Sequence, residues 1–153
     1  MTVVIQRVKC ASVISDGEPT GSIDAGLMLL LGVKKGDTEN DALLLAEKIS
    51  KLRIFSDENG KMNKSVKDID GGALIVSNFT LCANYAHGNR PDYMNAEKPE
   101  LADKLYEHFV SLMRERILHV GTGKFGADME ITMKADGPVT IVMDSEILKN
   151  KGK

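Results

Sequence analysis

The run Leu27 to Val33 constrains this chain more than any other stretch, because seven consecutive residues without a polar side chain leave no face to present to water. At that length it reads as a β-strand buried on both faces, so the fold has to supply cover above and below it. Ala73-Leu74-Ile75-Val76 begins a second apolar strand, whose continuation, Ser77-Asn78-Phe79-Thr80-Leu81, turns polar. Period-two alternation through that segment puts Ser77, Phe79 and Leu81 on one face and Asn78 with Thr80 on the other.

The remaining elements follow from shorter signals. Thr2 to Val8 and Ala11 to Ser15 are rich in β-branched residues and read as strand, with Asp16-Gly17 as a hairpin turn and a short strand near Gly21-Ser22-Ile23. With Leu27 to Val33 these predict an antiparallel meander. Thr38 followed by Asp41 is a capping signal, and Leu44, Leu45, Ile49 and Leu52 recur at helical spacing, so a helix is expected to end near Arg53. Ile54-Phe55 extends briefly before Asp57-Glu58-Asn59-Gly60 turns the chain. A second helix opens at Pro99 and carries the stripe Leu101, Leu105, Phe109, Leu112 and Met113 to about Ile117. Between Cys82 and Lys98 lies a loop of Asn, Gly and Pro, longer than most connections in a compact domain and marked as functional for that reason. Met129, Ile131 and Met133 alternate with polar residues ahead of Ala135-Asp136-Gly137-Pro138-Val139-Thr140, and Ile141-Val142-Met143 follows. The Gly-Pro step is therefore expected at the turn of a hairpin, with a cis peptide accessible there at about 0.5 to 1 kcal/mol.

At 153 residues, with no linker or internal repeat, the chain is expected to be one domain over 1–153. Tryptophan is absent and aromatics make up 5%, so aliphatic side chains must fill the core. A net charge of −2 does not announce a nucleic-acid partner. Lys34-Lys35, the Lys61, Lys64 and Lys67 series and the Lys149, Lys151 and Lys153 tail could each form a basic patch, although each singly reads as a solvated face. Cys10 and Cys82 have no Cys-x-x-Cys spacing, which suggests neither a disulfide framework nor zinc and fits a reducing cytoplasm. No apolar run approaches the roughly 20 residues a bilayer span needs.

Familiar chemistries can be set aside by spacing. His87, His108 and His119 form no metal-ligand pattern, there is no Gly-x-Ser-x-Gly nucleophile elbow, and Gly121-x-Gly123 lacks the third glycine of a dinucleotide loop.

Six motifs then occur in order: Gln6-Arg7-Val8; Arg53-Ile54-Phe55-Ser56-Asp57-Glu58-Asn59-Gly60-Lys61-Met62-Asn63; Ser77-Asn78-Phe79-Thr80-Leu81; Gly88-Asn89-Arg90-Pro91; Thr122-Gly123-Lys124-Phe125 with Ala127-Asp128-Met129; and Asp136-Gly137-Pro138-Val139-Thr140. Each is modest alone, but together they make the chain resemble the D-aminoacyl-tRNA deacylases over nearly its whole length. The resemblance implies an α+β fold, a mainly antiparallel and barrel-like single domain with two flanking helices. It also implies a cytoplasmic homodimer that acts on the aminoacylated 3′ end of tRNA, with no cofactor, metal or membrane. The expected reaction is hydrolysis of the ester joining a D-amino acid, or a mischarged glycine, to the terminal adenosine. Ser77, Asn78, Phe79 and Thr80 are the expected catalytic residues. Gly137 and Pro138 are expected to project, through a cis peptide, into the partner subunit's pocket, with Arg7 anchoring that loop and Phe125 and Met129 walling the adenosine or aminoacyl group.

A rigid main-chain wall explains how such a site rejects L-esters, since an L-residue points its side chain where a D-residue points hydrogen. Backbone N–H groups around Phe79 and Thr80 are candidate oxyanion donors. Thr80 could attack directly, but no histidine or lysine in the motif is placed to activate it. Water activated by the adenosine 2′-hydroxyl is the preferred reading, consistent with what the resemblance implies. Three departures stand out: Asn78 where the family commonly has Gln, Ala135 where Asn often precedes Asp-Gly-Pro, and a single basic residue in Gly88 to Pro91. Asn78 and Ala135 motivate one rival reading, an editing deacylase of altered substrate range; a second rival is a non-catalytic nucleic-acid-binding protein on the same fold.

Overall fold

A computed structural model describes residues 1–150. Strand β1, Thr2–Ser15, is the hub of the sheet. Its alternation of small and β-branched residues buries Val3 and Ile5 toward one cluster and Val8, Ala11 and Val13 toward another. Asp16 and Gly17 both take positive φ, 50° and 83°, as a two-residue hairpin turn requires. They return the chain as β2, Glu18–Ile23, which pairs with the second half of β1. Strand β3, Gly26–Gly32, pairs antiparallel with the first half, from Thr2 opposite Gly32 to Val8 opposite Gly26. The expected meander is thus replaced by an arrangement with β1 in the middle, because a strand of 14 residues has room for two partners on one edge.

Two helical crossovers continue the sheet in parallel. Helix α1, Glu39–Ser50, leads from β3 past the small hairpin of β4, Phe55–Ser56, and β5, Met62–Lys64, to β6, Gly72–Ser77. Helix α2, Pro99–Arg114, leads from β6 to β7, His119–Thr122. The sheet order is β2-β1-β3-β6-β7. Strand β7 comes back against β2 so closely that a Cβ on Gly21 would lie 2.6 Å from the Thr122 carbonyl oxygen. That contact nearly closes the sheet into a barrel.

The apolar run behaves as its composition requires. Leu27, Leu29 and Leu31 of β3, with Ala73 and Ile75 of β6, meet α1 and α2 through Leu45, Ile49, Tyr106, Phe109 and Met113. Met28, Leu74 and Val76 point the other way into the barrel with Val8, Ala11 and Val13. Each leucine so buried contributes about 2 kcal/mol relative to exposure. Both helices end earlier than their apolar stripes suggest: α1 stops at Ser50 rather than near Arg53, and α2 at Arg114 rather than near Ile117. Leu52 and Ile117 still pack on the core from the turns that follow.

Strand β8, Met129–Asp144, overturns a further expectation. Both of its halves pair antiparallel with β1, Met129 to Ala135 against Ser15 to Val8 and Thr140 to Asp144 against Gln6 to Thr2. Residues 136–139 bulge out opposite Arg7, so Gly137-Pro138 is a bulge inside one continuous strand and not the turn of a hairpin. Proline has no N–H for the ladder and is tolerated in a paired strand at such a bulge. A short helix α3, Ser145–Lys149, follows, with Asp144 capping it through the Glu146 N–H. Lys149 of the supposed basic tail is paired with the buried Asp41 at 2.7 Å, while Lys151 and Lys153 lie outside the described residues. Among the described residues no helix is long and apolar enough to cross a membrane.

Candidate active site

The site begins where β6 leaves the sheet. Ser77, opposite Leu31, is the last paired residue, and the Asn78 N–H still donates to the Leu31 carbonyl at 2.8 Å. The chain then coils into a 3-10 turn, Phe79–Cys82, so the period-two reading fails beyond Ser77. Asn78 and Thr80, expected on a common strand face, are instead joined by a hydrogen bond from the Thr80 hydroxyl to the Asn78 side-chain carbonyl. Phe79 and Thr80 open the turn, and their N–H groups have no intrahelical acceptor.

Beyond this turn lies a cavity of about 850 Å³, lined by Ser77, Asn78 and Phe79, by Phe125 and Met129, and by the apolar strand residues Val76 and Ile131. The glycine-rich connector after β7 places Phe125. Gly123 donates to the Ile75 carbonyl at 3.3 Å and Lys124 to the Ser15 hydroxyl at 3.1 Å. The Phe125 ring rests on Tyr106, with centroids 6.0 Å apart. A Cβ on Gly123 would sit 2.5 Å from the Met129 sulfur, so glycine is what lets that side chain close the wall. Thr80 is exposed and does not line the cavity.

A second group gathers at the β8 bulge. The Arg7 Nε donates to the Asp136 carbonyl at 3.0 Å and sits 3.1 Å from its carboxylate, while Nη1 donates to the Ile54 carbonyl at 2.7 Å. Arg7 thus fastens the residue before Gly137, and ties the bulge to the segment after α1. The Gly137-Pro138 peptide is cis, and both residues are exposed. Within one chain, neither they nor Arg7 line the cavity.

The sequence profile of the D-Tyr-tRNA(Tyr) deacylase family matches residues 4–144. The chain is 52% identical to a D-aminoacyl-tRNA deacylase of Bacillus cytotoxicus over 146 residues, covering 95% of this chain and all of that one. It is 53% identical over the same length to the enzyme of that name from Halalkalibacterium halodurans. The chain belongs to the D-aminoacyl-tRNA deacylase family. Two solved structures share its fold. A protein described as a c-Myc DNA unwinding element binding protein superposes with a TM-score of 0.88 at 40% identity, covering 94% of this chain and 98% of its own. A probable eukaryotic D-amino acid tRNA deacylase superposes with a TM-score of 0.81 at 14% identity over 94% of this chain and all of that one, a likeness of fold.

A deacylase of this family is a hydrolase whose substrate is an aminoacylated tRNA, so the chemistry needed is attack on an ester. Candidate protein nucleophiles are poorly placed for it. The Thr80 hydroxyl donates to a neutral amide, which cannot act as its base. Burial pushes the Cys82 thiol up, and its sulfur donates to the Val33 carbonyl at 3.5 Å. Tyr106 is also held protonated, chiefly by burial, and its hydroxyl donates to the Ile75 carbonyl at 2.8 Å. Its role is to brace β6 two residues ahead of Ser77, under the ring of Phe125. Sequence reasoning assigned Tyr106 no role. It also assigned none to Tyr93, whose ring meets Phe79 edge-on at 5.0 Å. The unusual length of the loop from Cys82 to Lys98 was the signal that pointed toward Tyr93.

Proposed function

We propose that this chain clears D-aminoacyl-tRNA by hydrolysing the ester at the terminal adenosine, with the cavity beside Ser77 to Phe79 as the site of reaction. The carrying observation is that the ordered Ser77-Asn78-Phe79 segment, Phe125 and Met129 all face one pocket in a chain of this family. The first N–H groups of the 3-10 turn, at Phe79 and Thr80, serve as donors to the developing oxyanion. Phe125 and Met129 wall the adenosine or the aminoacyl group.

Attack is by water, activated by the 2′-hydroxyl of the terminal adenosine. The Thr80 hydroxyl donates to the Asn78 amide, which cannot take its proton, and this supports water over a threonine nucleophile. Stereochemical rejection comes from Gly137-Pro138 of a second copy of this chain, held by its own Arg7. The exposure of this pair and its absence from the lining of its own chain's cavity support a role across a dimer. Main-chain carbonyls there would clash with an L-side chain but pass a D-residue, and glycine would pass with it. The dimer acts in the cytoplasm, without metal or cofactor.

The neighbour described as a DNA unwinding element binding protein favours one alternative, nucleic-acid binding without turnover. Release of amino acid from D-Tyr-tRNA, L-Tyr-tRNA and Gly-tRNA separates the two. The deacylase reading expects release from the D- and glycyl esters and retention of the L-ester. Binding without release supports the alternative, and comparable cleavage of D and L refutes the chiral wall. In the same assay the Thr80→Ala variant keeps near-normal turnover, whereas tRNA ending in 2′-deoxyadenosine is not cleaved. Full activity on the deoxy substrate would refute assistance by the 2′-hydroxyl.

A further inference from the structure

Two cations line the cavity, and neither has a counter-ion among the described residues. Lys35 follows β3, and Lys98 precedes α2; both are exposed. The segments that carry them are stitched together, with the Lys35 N–H donating to the Asn95 carbonyl at 2.9 Å and the Glu97 N–H to the Val33 carbonyl at 3.0 Å. They therefore belong to one wall. The neighbouring Lys34, by contrast, is committed to Asp144 at 2.7 Å. Glu97 also lines this wall, but its carboxylate accepts from the Lys98 N–H at 2.8 Å. The other acidic lining residue, Asp128, comes from the connector that carries Phe125.

The same wall leaves apolar surface uncovered. Tyr93 is 37% exposed, Met94 72% and Phe79 57%, and all three line the cavity. Free cations interleaved with exposed flat or polarisable side chains are what a single-stranded nucleic acid requires, phosphates on the first and bases stacked on the second.

We propose that the rim formed by Lys35, Tyr93, Met94 and Lys98 holds the single-stranded nucleotides that precede the terminal adenosine, with the two lysines on their phosphates. This rests on the deacylase reading and adds the contact that tells a charged tRNA from a free aminoacyl nucleoside.

The test compares wild type with K35Q/K98Q on D-Tyr-tRNA and on D-Tyr-adenosine, which has the ester but no phosphate. Lys104→Gln, an exposed lysine of α2 outside the cavity lining, is the charge control, and thermal unfolding confirms that every variant is folded. Two lost single-strand phosphate contacts should make the slope of log kcat/KM against log salt shallower by about 1.4. Between about 50 and 200 mM salt, wild type then loses about sevenfold more activity on tRNA than K35Q/K98Q does. The loss caused by the double substitution should be much larger on tRNA than on the nucleoside ester. Equal salt slopes, or equal losses on the two substrates, would overturn the proposal while leaving the deacylase reading intact. Wild type inactive on both esters would instead refute that reading, and the salt slope for binding uncharged tRNA, measured on the same proteins, still decides whether the lysines hold phosphate.

Discussion

Replacing Arg7 by lysine keeps the positive charge and removes the fork that lets one side chain hold two carbonyls. Arg7 is 14% exposed and donates to Asp136 and to Ile54, acceptors on two separate segments. The ion pair with the Asp136 carboxylate adds little, because that carboxylate is 41% exposed and screened. Lysine can serve one of the two carbonyls, so the expected loss is one charge-assisted hydrogen bond, about 2 kcal/mol. In a domain of this size that lowers Tm by roughly 4–8 °C. If the loss is felt as loosening of the bulge, displaced conformations of Gly137-Pro138 become about 30-fold more populated. The ratio of kcat/KM for D-Tyr-tRNA over L-Tyr-tRNA should then fall by up to that factor, mostly through gain of L-ester cleavage. The assay is single-turnover release from both esters beside thermal unfolding of the same preparation. A lower Tm with an unchanged D to L ratio would show that Arg7 supports the fold and not the wall, and the anchoring argument would fail.

Two further outcomes follow from buried polar groups. Tyr106→Phe keeps the ring under Phe125 and removes the donor to Ile75, whose carbonyl keeps the longer contact from Gly123; about 1 kcal/mol of stability should be lost, and an unchanged Tm would refute the bracing role. Burial alone would raise the Asp41 carboxyl, but hydrogen bonds from Lys149, Ser145 and Thr38 outweigh it and hold the group well below the ordinary carboxylate range. Its stabilising contribution, on the order of 2 kcal/mol, is therefore present above the unfolded value and lost as pH falls from about 5 toward the folded one. Asp41→Asn should flatten the decline of Tm on that acid limb, and an identical slope in wild type and variant would count against the assignment.

What the sequence could reveal depended on whether a local pattern had one structural meaning. A strand-length apolar run has nearly one, and β3 and β6 are buried on both faces as Leu27 to Leu31 and Ala73 to Val76 require. Thr38 and Asp41 form the capping box their spacing implies. Gly137-Pro138 illustrates the opposite case. An Asp-Gly step between two alternating segments fits a hairpin turn and a strand bulge equally well, and the choice is made by Arg7 and the rest of β1, 129 residues earlier than Asp136. Because β1 is long enough to accept both halves of β8, the chain continues straight and extrudes the step sideways instead of folding back.

The expected active-site strand, Ser77 to Leu81, fails to be one for a related reason. Ser77 is the last residue with a ladder partner, and once the Asn78 N–H has been taken by Leu31 the remaining polar residues have no neighbouring strand to pair with. A 3-10 turn satisfies them locally and frees the N–H groups of its first residues. The polar end of an otherwise apolar strand was thus legible as an anomaly, while its conformation was set by where β3 stops. Tyr106 was invisible for a simpler reason: at helical spacing a buried tyrosine reads as core, and only the position of the Ile75 carbonyl shows that its hydroxyl is also a brace for the site. The same holds for Lys35 and Lys98, ordinary surface lysines in sequence, which the pairing of residues 33–35 with 95–97 turns into one face of a cavity.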